Sequence, residues 1–212
     1  MAYAILDGMS GAKMSGGVMA EPRHVKSRER VRDLGEVYTQ PREVNAMLDL
    51  IPDAFDCIDT RFLEPAAGDG NFLVAILARK IALIDEEKFG GTPEWFEFAL
   101  LRCLASIYAI DIDEENVAEA RERVLAIVTA AAAFDDGDAS EAFHRAAREI
   151  VRTNVVVGDS LNGAEQIVFI GYTPLPGERF QRVPSELEPP AMDLFYEPPV
   201  ALPTVHFSGM GA

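Results

Sequence analysis

The chain has 212 residues, 49% of them apolar and 25% charged, with a formal net charge of −16. One sizeable core in one domain is the expectation at this length and composition. The charge argues against tight, independent binding to nucleic acid, which relies on Lys and Arg displacing counterions, but it leaves room for a local basic face.

No apolar run approaches the roughly 20 residues of a membrane span. No basic region leads into an apolar block at the start, so no signal peptide is expected and a cytoplasmic placement follows. Cys57 and Cys103 are the only cysteines, and they read as two reduced, buried thiols rather than a pair. No Cys/His cluster has zinc spacing, because His24, His144 and His206 are scattered.

In chain order, residues 1–20 are rich in Gly, Ser and Met and are expected to be mobile. The stretch "RHVKSRERVR" (23–32) is the one concentrated basic segment, either a solvated helix or arm or a contact to DNA. Pro41 suits a first helical turn behind Thr39 as cap, with Val44, Met47, Leu48 and Ile51 on one face. "RFLEP" reads as a short buried strand, and "GNFLVAILARKIALIDEEK" (70–88) as the helix after it. A further helix at 94–104 leads into the strand "SIYAIDID" (106–113). Helical stretches follow at 114–133 and 140–151, and then the strands "TNVVVGDSL" and "QIVFIGYTP". After about residue 172 the chain is Pro-rich, which predicts a meandering tail with at most short strands. The organisation is therefore a partly basic arm over 1–34, a ligand-binding domain over 35–171 and a Pro-rich tail over 172–212.

Strands alternating with helices predict an α/β fold with a mostly parallel sheet and flanking helices. Ligands in such sheets bind at the carboxyl ends of the strands. Three strand ends thus carry the chemistry: Glu64 to Gly70, Asp111 to Asp113, and Gly158 to Leu161. A glycine turn between strand and helix lets a ligand approach the backbone. The dinucleotide pattern G-x-G-x-x-G is incomplete, since position 73 is Leu. Asp69 between the glycines would repel a pyrophosphate, whereas a ligand carrying an ammonium group suits Glu64 and Asp69. Asp111 can accept both hydroxyls of a ribose, with Asp113 as the spare, and Asp159 can accept an adenine amino group. Each of the three also reads as an ordinary turn or helix cap.

Together and in this order, the motifs resemble the cofactor-binding half of the S-adenosylmethionine-dependent DNA adenine-N6 methyltransferases of restriction-modification type. "LEPAAGDGNFL" is similar to their cofactor loop, "YAIDID" to their ribose-binding strand end, and "VGDSL" to their adenine-binding one. "GEVYTQPREVNAML" resembles their upstream G-x-x-Y-T-P segment, with Gln40 as a departure. The resemblance covers residues 34–171 and implies a Rossmann-like methyltransferase fold binding S-adenosyl-L-methionine. It places Tyr38, Thr39 and Pro41 around the methionine moiety and has Glu64, Ala66, Gly68 and Gly70 hold it. Asp111 and Ile112 would take the ribose and the adenine face, and Asp159 the adenine amine.

The family activates its target amine with an Asn-Pro-Pro-Tyr or Asn-Pro-Pro-Phe turn after the fourth strand, on a base flipped out of the duplex. Here the expected place reads "VFIGYTPLP", where Tyr172, Thr173 and Pro174 stand for Asn-Pro-Pro. The rival is "FYEPPV", with Glu197, Pro198 and Pro199. What the resemblance implies is methyl transfer to adenine N6 in DNA, alone or as a subunit beside a partner that reads DNA. A catalytically inactive cofactor-binding homologue and a small-molecule methyltransferase are the alternatives. A fold truncated after the fourth strand would leave an open sheet edge, so self-association or a hetero-oligomer is expected.

Overall fold

The computed structural model describes residues 39–84, 92–133, 138–187 and 199–212. The basic segment 23–32, Tyr38, Glu197 and Pro198 lie outside them.

Helix α1 (Pro41–Leu48) starts at Gln40 rather than Thr39, and the Glu43 carboxylate accepts the Gln40 N–H at 3.2 Å. Only Val44 and Leu48 of its expected apolar face are buried, while Met47 and Ile51 are exposed. Strand β1 (Phe62–Glu64) leads through the glycine turn into α2 (Asn71–Ile81), which stops well short of the expected residue 88. Helix α3 (Pro93–Ala105) is capped by Thr92, whose hydroxyl accepts the Trp95 N–H at 3.2 Å, with Pro93 in the first turn. Strand β2 (Ile107–Asp111) is buried at all five positions, as a central parallel strand covered on both faces must be.

Asp113 caps α4 (Glu114–Ala132) through the N–H groups of Glu115 and Asn116, at 2.8 and 3.2 Å. Ser140 caps α5 (Glu141–Asn154) in the same way, and its own N–H and hydroxyl donate to the buried Glu97 of α3 at 2.6 and 2.7 Å. That carboxylate fixes the start of α5 against α3. Strand β3 (Val155–Val157) follows without a break.

The three strands form a parallel sheet in the order β1-β2-β3, with Glu64 opposite Ala109 and Asp111 opposite Val157. The fourth strand does not join it. β4 (Val168–Leu175) pairs antiparallel with β5 (Arg179–Glu186), which pairs with β6 (Leu202–His206). The molecule is thus mixed α/β, half parallel and half antiparallel, rather than mostly parallel and truncated after four strands. Phe180, Phe207 and Met210 are fully buried in the main core, so the described parts of 172–212 contribute to it rather than trailing as a tail.

The prolines that suggested a tail sit where a strand tolerates them. The Ile170 N–H points away from β5, to the Asn154 side chain at 3.2 Å. Pro174, two pleats further along β4, faces the same open side. The Leu187 N–H donates to the Ile167 carbonyl at 3.0 Å, so odd-numbered residues of β5 serve β4. Pro184 then faces β6, whose pairing stops at Leu202 opposite Arg182.

The second sheet packs on the first through Tyr108 and Phe169, edge to face at 5.3 Å, and on α3 through Phe98 and Phe180 at 4.9 Å. Both cysteines are free, but only Cys103 is buried; Cys57 is exposed. No helix among the described residues is long and apolar enough to cross a membrane.

Candidate functional site

The carboxyl ends of β1, β2 and β3 are tied together by the loops that leave them. Ala67 N–H donates to the Ile110 carbonyl at 2.8 Å, and Gly158 N–H to the Asp111 carbonyl at 3.0 Å. The Ser160 hydroxyl reaches the Pro65 carbonyl at 3.0 Å, so the third strand end closes onto the first past the end of β2. At the centre, the Gly68 N–H donates to Asp111 Oδ2 at 2.7 Å.

Asp111 is only 9% exposed. Its Oδ1 accepts the Asp113 N–H at 3.0 Å and the Asn116 side-chain amide at 3.2 Å. An ionised carboxylate has about four lone-pair sites, and three are used here. A diol therefore finds one free acceptor on Oδ2 and gains the second by displacing Gly68.

Glu64 stands beside Asp111 on the neighbouring strand, with its Oε1 accepting the Ala66 N–H at 3.2 Å. Burial raises its pKa, the Ala66 N–H opposes that, and the Asp111 charge adds to it. The rim thus holds two adjacent carboxyl groups that favour a cation.

Asp69 does not contribute to that preference. Its carboxylate pairs with Arg123 of α4 at 3.1 Å, and Arg123 also donates to the Asp69 carbonyl at 2.7 Å and to Asn71 Oδ1 at 2.8 Å. The expectation that Asp69 attracts an ammonium group is corrected: its charge is taken by α4.

The two glycines serve different ends. Gly70 has φ +89°, and a Cβ there would lie 3.0 Å from Ala120 Cβ and 3.1 Å from its Cα, so this glycine lets α2 meet α4. Gly68 has φ +54°, and its Cβ would meet nothing within 4 Å. It borders open space.

The upstream segment lies alongside. The Asn71 side chain donates to the Thr39 carbonyl at 3.4 Å, and Pro41 heads α1. Arg79 of α2 holds the other end of α1 through the Asn45 carbonyl at 3.0 Å and the Asp49 carboxylate at 2.7 Å. Ala66 is exposed on the loop. Ile112 is 56% exposed directly after β2, an aliphatic face available to a flat ligand. Asp159 is half-buried and tied into its own turn, accepting from the Asn162 side chain at 3.0 Å and from the N–H groups of Leu161 and Asn162 at 2.9 and 3.0 Å. Those bonds, the Asn162 side chain foremost, hold its pKa below the usual carboxylate range.

The turn expected from Tyr172, Thr173 and Pro174 does not exist. All three are strand residues of β4. Tyr172 is buried, its hydroxyl 2.9 Å from that of Thr153. A small recess of about 20 Å³ lined by Arg61, Ser106, Tyr172 and Pro174 puts them at the amino end of the parallel sheet, opposite the glycine turn. Pro199 is half-buried and Val200 exposed, just before β6. A cleft of about 290 Å³ between Trp95 on α3 and the β4–β5 turn is also remote from the strand ends.

Arg123, Asn116 and Ser160, which build the site from behind, are not apparent in the sequence; their partners lie on other elements or across a turn. Among the described residues no cluster of three or more acidic, His or Cys side chains is placed to hold a metal ion. Neither a protein-family model, nor a curated protein, nor a solved structure matches this chain.

Proposed function

We propose that the three strand ends bind S-adenosyl-L-methionine, and that the chain is a methyltransferase, or a methyltransferase subunit, acting on adenine N6 in DNA within a restriction-modification-like system. The observation that carries the cofactor reading is the Gly68–Asp111 bond at 2.7 Å. It brings the glycine turn and the acid, 43 residues apart in sequence, to one point.

The residues present fit that cofactor. Glu64, beside a second carboxylate and short of solvent, gains by meeting a cation. Gly68 faces free space, Asp111 keeps an acceptor for a ribose hydroxyl, and Ile112 offers an apolar surface to a purine. Thr39 and Pro41 close the methionine side, and Asp159 is ionised to accept from an amino group. The bound cofactor would supply an electrophilic methyl group on a sulfonium. The chain's own part is to orient it, with Asp111 exchanging its Gly68 bond for a hydroxyl and Glu64 facing the ligand's positive charge.

Glu197 is the remaining candidate for accepting a hydrogen from the target amine, followed by Pro198 and Pro199. A second reading, a cofactor-binding homologue without transfer activity, is favoured by the position of Tyr172–Pro174 within β4. β1 is an edge strand among the described residues, with Leu63 49% exposed, which supports a covering partner or a second copy.

The test is calorimetric titration of the full chain with S-adenosylmethionine. We expect saturable binding. Binding that tightens as pH rises through the raised Glu64 pKa has the right sign. No binding by the wild type, or equal affinity in Asp111→Asn, would overturn the reading. With binding established, methyl transfer to a DNA duplex by the wild type but not by Glu197→Ala separates the enzyme from the inactive homologue.

A further inference from the structure

The amino end of the parallel sheet gathers arginines around the Thr153–Tyr172 hydroxyl pair and the backbone beside it. Arg182 of β5 is directly opposite Tyr172 in the β4–β5 ladder. Arg152 precedes Thr153, whose hydroxyl is 2.9 Å from that of Tyr172. Arg121 of α4 reaches the same place, its guanidinium donating to the Arg152 carbonyl at 3.3 Å and the Val155 carbonyl at 2.8 Å. Burial pushes the Tyr172 phenol up to about 12, with the Glu149 charge adding to the rise, while the Thr153 hydroxyl, Arg182 and Arg152 pull the other way.

The counter-charge is thin. Glu149 is engaged side-on by Arg152 at 2.9 and 3.0 Å. No ion pair among the described residues joins Arg121 or Arg182 to a carboxylate. Arg182 Nε is buried with no hydrogen-bond partner, an uncommon state for a charged group. Arg152 lowers the pKa of Arg121, after desolvation, by like-charge repulsion. Helix capping explains Arg121 and Arg152 in part, since both serve the carboxyl end of α5, but it does not explain Arg182.

We propose that Arg121, Arg152 and Arg182 form a site for a phosphate group, separate from the strand-end crevice and independent of the cofactor reading. Planar guanidinium groups match the oxygens of a phosphate, and the nearby Thr153 hydroxyl adds a donor of variable direction. Two sources share this chemistry, the backbone of a nucleic acid and a small phosphorylated molecule.

The test is thermal unfolding of the full chain in inorganic phosphate against chloride at matched ionic strength. We expect phosphate to raise Tm by about 2–5 °C beyond chloride. Arg182→Met keeps the aliphatic bulk and removes the unpartnered Nε, so its Tm in chloride holds or rises while the phosphate increment disappears. Arg179→Met, on the same strand but outside the cluster, keeps the increment. No phosphate-specific rise in the wild type, or an undiminished rise in Arg182→Met, would overturn the proposal. A single-stranded oligonucleotide, followed by fluorescence anisotropy, distinguishes the sources. Binding that weakens with salt and is lost in Arg182→Met identifies a nucleic-acid backbone; a phosphate effect without oligonucleotide binding identifies a small phosphorylated ligand.

Discussion

The two ends of the parallel sheet carry opposite charge. At the carboxyl end stand Glu64, Asp69, Asp111, Asp113, Glu114 and Glu115, with Arg123 as the cation turned toward them. At the amino end stand Arg102, Arg121, Arg152 and Arg182, with Asp59 and Glu149 already paired. Much of this contrast has an ordinary cause. The helices run against the strands, so helix starts meet strand ends, and acids favour the positive end of the helix dipole. Glu114 and Glu115 open α4, while Arg102 and Arg152 close α3 and α5. What the dipoles leave over is informative. Glu64 and Asp111 are strand residues, diagonal neighbours on β1 and β2 with Glu64 opposite Ala109, and Arg182 lies on a strand of the second sheet.

The largest effect is expected at Asp111, whose carboxylate organises the acidic end. Asp111→Ala leaves the Gly68, Asp113 and Asn116 donors without their acceptor. Bonds to a charged group contribute about 1.5–3 kcal/mol each and overlap, so a loss of about 3–5 kcal/mol is expected in urea unfolding. A loss below about 1 kcal/mol would mean that the three strand ends are held by the backbone ladder instead.

The glycines sharpen the same end. Gly70→Ala combines positive-φ strain with a Cβ 3.0 Å from Ala120, at a cost of about 2–4 kcal/mol. Gly68→Ala meets nothing within 4 Å and loses only the strain, about 1–2 kcal/mol. Affinity for S-adenosylmethionine should rank the other way, with Gly68→Ala binding more weakly in proportion to its folded fraction. Equal stability of the two variants would erase the distinction between a packing glycine and a ligand-facing one.

How much of this was legible follows from the range of the interactions. The helices and the first three strands were readable because periodicity, Thr92, Asp113 and Ser140 are local signals. So was the placement of Gly68 and Asp111 at the carboxyl ends of the parallel strands, where they meet. The second sheet was not readable, because its prolines argue against strands until one knows which pleats face an open edge, as Pro174 and Pro184 do. Asp69 was misread for a similar reason: its partner Arg123 is 54 residues away, and nothing near Asp69 announces it. The arginines around the Thr153–Tyr172 hydroxyl pair come from three separate elements and look unrelated in the sequence.

At the basic end, Lys80 gives a smaller and pH-dependent effect. It is fully buried, donates to the carbonyls of Ile58 at 2.8 Å and Thr60 at 2.5 Å, and stands 5.0 Å from the Phe62 ring centre. Burial pushes its pKa down to about 8, against the opposing influence of Cys103, Asp59 and Cys57. The unfolded chain, with an ordinary lysine, holds the proton longer, so stability rises with pH above about 8. Burial pushes the Cys103 thiol up to about 12, so above pH 9 the unfolded chain loses a proton that the folded one keeps, and this offsets the Lys80 gain. The gain is therefore confined to about pH 8 to 9 and is at most about 1 kcal/mol after screening. Lys80→Met should flatten that rise in urea titrations at pH 8 and 9, while an unchanged slope would assign it to another group.

The smallest effect separates the two kinds of acid at the carboxyl end. Asp69 is neutralised by Arg123 at 3.1 Å, and both side chains keep some exposure, so Asp69→Asn should cost less than about 1 kcal/mol. Arg123 would still reach the carbonyl of residue 69 and Asn71 Oδ1, so the turn keeps its shape. S-adenosylmethionine affinity should change less than twofold, whereas Glu64→Gln, which removes the carboxylate that faces the cation, should weaken it about tenfold or more, the range of one charge-assisted contact. If Asp69→Asn weakens binding as much as Glu64→Gln, the ligand is drawn by the net charge of the rim and not by the side chain beside Asp111.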